Sequence, residues 1–524
     1  MKYNNPIISG YNPDPSICRV GEDYYIANSS FEFFPGVPVY HSKNLVNWEL
    51  IGYCLTDEEQ LDLHKARSSG GIYAPMLCYH EGMFFMTTTN VTGKGHMIVH
   101  TKDIRKGWSE PVWVNQDGID PTLFFDDGKV YFASTSFDDE GRQGIFMCEI
   151  DPYTGKKLTE SVCISYGCGG SCPEGPHLYK WFGKYYLLLA EGGTEYGHMV
   201  TLQRADSVYG PYEACPHNPI LSHRYDSVRD ISCTGHADIM QDHNGNWWLV
   251  CLGTRSSGER GRHLLLHHLG RETFLSPVVW NEDGWPVVGN NGTIALEMEG
   301  ELPCDEILPV SRDFADDFSE KEFSLHYNFL RNPFMENYVR DRQSKTLLLK
   351  GTGVTLNDVD SPTWLGIRQK GFETVTDVSV KLEDVRGGNR AGLTAFYNDS
   401  YHYEIYVTKD GSSKKVCLAK HVHDIFALTA SVDISDTDIK SSSVVGIADS
   451  NDKWINLRMT SDRDRYYFYY AIGDSKEYQL LGTAVTVGLA TETTMTMTFT
   501  GTYIGMFAEK GEGIFKDFAV RVLD

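Results

Sequence analysis

Much of what marks a secreted, membrane or nucleic-acid-binding protein is missing from this 524-residue chain. Its start, Met1-Lys2-Tyr3-Asn4-Asn5-Pro6, lacks the apolar core of about 7–15 residues that a signal peptide needs. The most apolar stretches, 185–190 and 247–252, are strand-sized and far short of a membrane span. A cytoplasmic protein is the expectation. Basic residues are scarce: 47 Lys and Arg stand against 71 Asp and Glu, a formal charge of −24 that repels phosphate backbones and anionic lipid. Neither nucleic acid nor membrane is therefore expected as a partner. The 12 cysteines show no paired framework spacing and read as reduced thiols. Cys168 and Cys172 are the one close pair, and no second Cys/His pair stands nearby to complete a metal site. Helical heptads, EF-hand loops and zinc spacings are absent too. Aromatics are plentiful, with 30 Tyr, 25 Phe and 10 Trp, which suits a β-rich core or sugar-stacking surfaces.

A repeat fills the first three hundred residues. A Pro opens a short apolar run, a turn with Gly follows, and an aromatic-rich run closes the unit. The copies start at Pro15, Pro75, Pro121, Pro176 and, with Ala in place of Pro, Ala237, so they lie 46 to 61 residues apart. Gly82, Gly128 and Gly183 each fall seven residues after their Pro. Each copy reads as a β-hairpin with room for two more strands, the pattern of a propeller blade. The expected fold is all-β: a five-bladed β-propeller over residues 1–300, then a β-sandwich of jelly-roll type over 310–524. The second region is read from period-two alternation at Tyr401, Tyr403, Ile405 and Val407, at Ile455, Leu457 and Met459, and at Met495, Met497 and Phe499. Such alternation predicts strands with one buried and one exposed face.

Equivalent positions of different blades converge at one end of a propeller channel. Asp14 and Asp120 stand directly before the repeat Pro in blades one and three, Glu174 lies one residue further back in blade four, and His236 holds the same phase in blade five. A lone Asp-Pro is ordinary turn chemistry. Three acids at one phase, with Ala74 in blade two, are not explained that way. Clustered carboxylates resist simultaneous ionisation, and a pair held in different protonation states is what glycoside hydrolysis uses.

The segments Asn12-Pro13-Asp14-Pro15-Ser16, Gly118-Ile119-Asp120-Pro121, Pro173-Glu174-Gly175-Pro176-His177, Thr234-Gly235-His236-Ala237-Asp238 and Leu269-Gly270-Arg271-Glu272-Thr273 resemble the signatures of glycoside hydrolase family 43. The resemblance is to its β-xylosidase/α-L-arabinofuranosidase branch, with a C-terminal β-sandwich. It implies an inverting enzyme in which Asp14 is the general base, Glu174 the general acid, and Asp120 the carboxylate that raises the pKa of Glu174 and orients it. Inversion implies base and acid about 6.5–9.5 Å apart. The same resemblance makes Phe31, Tyr73, His236 and Arg271 sugar-binding residues, with Tyr73 standing where relatives usually carry Trp. It also brings a structural calcium ion approached by His236 through water, no organic cofactor, and relatives that often form homodimers or homotetramers. A sandwich loop towards the active-site mouth is implied as well, with Phe499-Thr500-Gly501 the candidate.

The expected activity is removal of terminal β-D-xylose or α-L-arabinofuranose from the non-reducing ends of short, neutral pentose oligosaccharides, a carbohydrate-metabolism role in xylan degradation. An endo-acting arabinanase-like hydrolase and a non-catalytic sugar-binding propeller are the alternatives.

Overall fold

A computed structural model describes residues 1–225, 230–257, 264–383, 388–410, 413–434, 454–496 and 498–524. It falls into two compact units that interleave in sequence. Met1–Leu63, Ser69–Ser256 and Arg271–Val310 form the first; His64–Ser68, Ser257–Gly270 and Ser311–Asp524 form the second. Two short segments from within residues 1–300 thus belong with the second unit, which a single cut between 300 and 310 does not express. No helix among the described residues is long and apolar enough to cross a membrane.

Among the described residues the first unit contains five four-stranded antiparallel sheets, four of them built from consecutive strands of the chain and the first from Ser16–Val20, Asp23–Ala27, Gly36–Ser42 and Glu49–Leu55, with the short strand Phe33–Phe34 left out of it. Their inner strands are Ser16–Val20, Met76–His80, Ile119–Asp126, Glu174–Trp181 and Ile231–Gln241. Each pairs with the aromatic-rich run that follows it. The hairpin turns contain Gly21, Gly82, Gly128, Gly183 and Gly245, with φ between 63° and 93°. That conformation costs a side chain with Cβ but not glycine, so the glycine phase of the repeat is a backbone requirement.

The first and last blades each have four strands of their own, and among the described residues no strand is shared to close the ring. Lys2–Asn4 instead pairs with Glu297–Glu299, and Ile7 N–H donates to the Thr273 carbonyl at 2.9 Å. Asp238 adds a side-chain clasp. Its Oδ2 accepts from Ser16 Oγ at 3.0 Å and Ile17 N–H at 2.9 Å, and its Oδ1 accepts from Tyr179 Oη at 2.6 Å. Ser16 Oγ in turn accepts from Leu77 N–H at 3.0 Å. One buried carboxylate thereby connects blades five, one and four directly and blade two through Ser16.

The second unit is a β-sandwich. One sheet is eight-stranded and runs through Thr346–Lys350, Glu512–Val522, Thr374–Glu383, Ile455–Ser461 and Arg465–Ile472. The other contains Ser413–Val422, Tyr401–Asp410, Arg390–Asn398, Tyr503–Glu509 and Trp364–Arg368. Ile455, Leu457 and Met459 are buried between half-exposed neighbours, as the alternation predicts. Two expectations need correction. Tyr401–Asp410 is a strand, but both its faces are covered: His402 and Glu404 are fully buried on the face expected to meet water. Their polarity is absorbed by a charge cluster in which Arg390 bonds Glu404 at 2.9 Å and Glu509 at 2.8 Å. Nor do Met495 and Phe499 lie in a strand, while Met497 lies outside the described residues. The threonines turn the chain on itself: Thr493 Oγ1 donates to the Val487 and Ala490 carbonyls, and Thr494 Oγ1 to those of Thr491 and Thr496. Local hydroxyl-to-backbone bonds of this kind compete with a ladder. In the Phe499-Thr500-Gly501 segment, a Cβ on Gly501 would come within 2.2 Å of the Leu269 carbonyl oxygen.

Replacing Asp238 by Ala leaves three buried donors without their acceptor, at a cost of about 1–3 kcal/mol each. Asp238→Ala is expected to lower the midpoint of thermal unfolding by several degrees, with Asp238→Asn, which keeps one acceptor, falling between. Melts followed by circular dichroism check this; coincident curves for wild type and Asp238→Ala would refute the clasp.

Candidate active site

Four of the five blades carry one backbone device at the repeat phase, just ahead of the inner strand in blade one and within it in blades three, four and five. Asp14, Asp120 and His236 have φ of 51°, 55° and 44°, and Gly175 has 58°; each immediately precedes the repeat Pro or Ala. Left-handed φ at a non-glycine residue costs on the order of 1–3 kcal/mol and gathers at functional sites. In blades three, four and five the ladder slips at this point, between Ile119 and Thr122, Glu174 and His177, and Gly235 and Asp238. A bulge re-aims the side chains it carries. Blade four also explains why its acid sits one residue early. The left-handed position there is Gly175, where a Cβ would lie 2.9 Å from His236 Nε2, so only glycine fits and the carboxylate falls at Glu174.

These residues meet. Asp14, buried, accepts from Arg271 Nη1 at 3.1 Å through Oδ1 and from Ser29 Oγ through Oδ2. His236 Nδ1 lies 3.4 Å from the same Oδ1. Arg271 Nη1 also donates to Thr194 Oγ1 at 3.0 Å, and its guanidinium carbon stands 5.7 Å from the centre of the Phe31 ring. Asp120 Oδ2 accepts the Gly175 N–H at 3.1 Å, so it holds the peptide next to Glu174. Phe31 is only 2% exposed and meets the ring of Tyr73 at 5.1 Å between centres. Tyr73 is half-buried, and its hydroxyl, the group a tryptophan would lack, donates to the Ser69 carbonyl at 3.2 Å.

Proton affinities diverge across this small space. Burial pushes Asp14 up, but the charges of Arg271 and His236 and the Ser29 hydroxyl outweigh it, and Asp14 ends below the usual carboxylate range. Burial raises Glu174 to about 7, with the charge of Asp14 adding to the rise and Arg271 opposing it. Asp120 rises well above its ordinary value through burial and the charges of Glu174 and Asp14. Burial lowers His236 to about 4 and His198 to about 3, so both imidazoles are neutral near pH 7. The site therefore holds one ionised carboxylate, stabilised by a cation, facing carboxyls that keep their protons into the neutral range.

Three contributors went unnoticed in the sequence: Ser29 on Asp14, Thr194 on Arg271, and His198, whose Nδ1 lies 2.9 Å from the Cys233 carbonyl oxygen. A Cβ on Gly235 would sit 2.3 Å from the His198 ring, so that glycine admits the imidazole. None of the three shares the repeat phase. As for the expected calcium, His236 presents one ring nitrogen to Asp14 and the other towards Gly175. Among the described residues no three His, Cys, Asp or Glu side chains are grouped to hold a metal. A calcium ion ligated by water, as expected, does not require such a group, and no step of the reaction is routed through it.

Residues 3–286 match the family of glycosyl hydrolases family 43, and residues 315–519 match the beta xylosidase C-terminal concanavalin A-like domain. The chain is 38% identical over 512 residues to a non-reducing end alpha-L-arabinofuranosidase of Bacteroides ovatus, covering 97% of this chain and 91% of that protein. It is 32% identical over 487 residues to a beta-xylosidase of Bacillus subtilis, covering 90% and 89%. Among solved structures, a Bacteroides ovatus xyloglucan-PUL GH43B protein superposes with a TM-score of 0.89 at 36% identity, with both chains fully covered. A xylan beta-1,4-xylosidase of Bacillus halodurans superposes with a TM-score of 0.89 at 30% identity, covering 99% of this chain and 100% of that one. With its carboxylates drawn from blades one, three and four and both parts of the chain matched in order, this protein is a glycosidase belonging to glycosyl hydrolase family 43.

Proposed function

We propose that the chain is an exo-acting glycosidase that releases terminal β-D-xylose or α-L-arabinofuranose from the non-reducing ends of short pentose oligosaccharides, with inversion at the anomeric carbon. The observation that carries this reading is the divergence of Asp14 and Glu174, one held below the carboxylate range and the other raised to about 7. In one displacement Asp14 takes a proton from water as its oxygen bonds to the anomeric carbon. Glu174 gives its proton to the departing glycosidic oxygen, and the two carboxyl groups then exchange their protons with solvent. Asp120 acts through Glu174, by charge and by the Gly175 peptide. Arg271, whose donors suit sugar hydroxyls, His236, Phe31 and Tyr73 hold the pentose. The names of the Bacteroides and Bacillus relatives, an arabinofuranosidase and xylosidases, support both sugars as substrates. Neutral pentoses also suit a protein of charge −24, which has no use for steering a charged substrate.

The first test is hydrolysis of aryl β-D-xyloside and aryl α-L-arabinofuranoside side by side, with the product anomer read by proton NMR. The inverted anomer should appear first, and Asp14→Ala should lose at least a thousandfold in kcat while keeping its circular dichroism spectrum. A retained anomer, or near-wild-type turnover by Asp14→Ala, would overturn the base and acid roles of Asp14 and Glu174. The pH profile follows from the same assignment: kcat/KM should fall as pH rises through about 7, where Glu174 gives up its proton.

Stability changes with pH in the same direction. Glu174 binds its proton more tightly folded than unfolded, so its contribution is lost as pH climbs from its ordinary value of 4.5 to about 7. Glu174→Gln removes that loss, which at about 1.4 kcal/mol per pH unit amounts to a few kcal/mol. The variant should therefore melt higher than wild type at pH 8 and gain little at pH 4. An equal shift at both values would contradict the raised proton affinity.

A further inference from the structure

Glu191 ends the strand Lys184–Glu191 in blade four and is fully buried. Its carboxylate is wrapped by a loop. Oε1 accepts the Cys168 N–H at 2.7 Å and Thr201 Oγ1 at 2.6 Å, and Oε2 accepts the Gly170 N–H at 2.6 Å. The next residue, Gly192, donates its N–H to the Ser171 carbonyl at 2.6 Å. The loop is shaped to this carboxylate. A Cβ on Gly167 would stand 3.1 Å from Glu191 Cδ, and one on Gly170 would stand 2.7 Å from Oε2. Three residues after Ser171 comes Glu174, and the intervening Pro173 carbonyl accepts Thr135 Oγ1 at 2.6 Å. The general acid is thus delivered by a segment tied to Glu191 on one side and to Thr135 and Asp120 on the other.

We infer that Glu191 is a positioning residue for proton donation: it acts through the 167–173 loop to fix Glu174, and does not touch the sugar. The inference rests on the proposed role of Glu174 as general acid. All three groups bonded to the Glu191 oxygens are donors, so a carboxylate matches them and an amide does not, since its NH₂ would face an N–H or O–H. Its two charge-assisted backbone bonds account for the small residues Gly167 and Gly170 and make the Cys168 peptide one of the loop's anchors.

Glu191→Gln tests this on two readouts. With the aryl pentoside that wild type cleaves, kcat should fall at least tenfold more on the phenyl glycoside, whose leaving oxygen needs a proton, than on the 2,4-dinitrophenyl glycoside, which departs without one. KM should stay within twofold. Separately, maleimide labelling of the half-buried Cys168, read by peptide mass spectrometry, should quicken severalfold, and this measurement does not depend on any glycosidase activity. Unchanged labelling overturns the cradle. Faster labelling with equal kcat losses on both leaving groups overturns the link to proton donation. Inert aryl pentosides in wild type together with faster labelling overturn the proposed function and, with it, the catalytic part of this inference. Should Glu191→Gln fail to fold, Thr201→Val removes one donor and leaves the carboxylate in place. The same leaving-group contrast, at severalfold, is then expected, and its absence counts against the proposal.

Discussion

Three carboxylates, Asp14 and Asp120 buried and Glu174 half-buried, share their surroundings with the Arg271 guanidinium, and its ion pair with Asp14 decides how protons are distributed among them. Desolvation alone would raise all three. Arg271 reverses this for Asp14, which it touches, and only moderates it for Glu174 and Asp120. The cation is itself firmly held. The Arg271 carbonyl accepts the Asn12 N–H at 2.9 Å, so the segment carrying the ionised acid is bonded to the segment carrying its counter-ion. Beside it, Glu272 is chelated by Arg255 at 2.6 and 2.9 Å and accepts the Gly10 N–H at 2.7 Å. Two neighbouring ion pairs therefore sit on the seam between blades five and one. Losing one partner of a buried pair costs several kcal/mol, because the other charge is stranded.

The seam is also where the ring must close without a shared strand. Asp238 clasps it among the inner strands, the Lys2–Asn4 pairing closes it near the terminus, and the Asn12–Arg271 bond closes it at the site. Asp14 can be strained, with φ at 51°, because the chain on either side of it is fixed by bonds that closure requires in any case. Asn28 shows the economy of this arrangement: its Nδ2 donates to the carbonyls of Asn12 and Pro13 and to Thr273 Oγ1, holding the strained turn and the seam with one amide.

What the sequence made legible follows from periodicity. The blades, their turn glycines and the convergence of Asp14, Asp120, Glu174 and His236 all repeat, and a repeated position means one place in space. Even the one-residue offset of Glu174 has a cause, since Gly175 must stand where His236 packs. Ser29, Thr194, His198 and Glu191 come from connecting segments or strand ends at no common phase, and no residue pattern announces them. In the sandwich, alternation located Tyr401–Asp410 but not the burial of His402 and Glu404. Period two says which residues share a face, not what covers that face. The threonines around Met495 misled for a different reason: Thr favours strands on average, yet its hydroxyl can equally bond its own turn.

The aromatic excess is settled mainly in favour of the core. Tyr179 stacks on Trp181 at 4.0 Å between ring centres, Trp181 meets Trp247 at 5.1 Å and Trp280 at 5.4 Å, and Tyr186 meets Trp280 at 5.5 Å. These rings fill the join between blades four and five, and aromatic pairs add about 0.5–1.5 kcal/mol each beyond area burial. That join lies under the acid-bearing strand, and the Tyr179 hydroxyl that ends the stack is the one bonded to Asp238. Left-handed residues and carboxyls kept protonated against their ordinary affinity are both destabilising, by amounts comparable to the whole margin of a folded domain. A propeller tolerates them at the mouth of its channel because wide, rigid rings between blades supply stability where no reacting group is needed. Phe31, which meets Tyr73 at 5.1 Å between ring centres, brings the same rigidity beside the Arg271 guanidinium that pairs with Asp14.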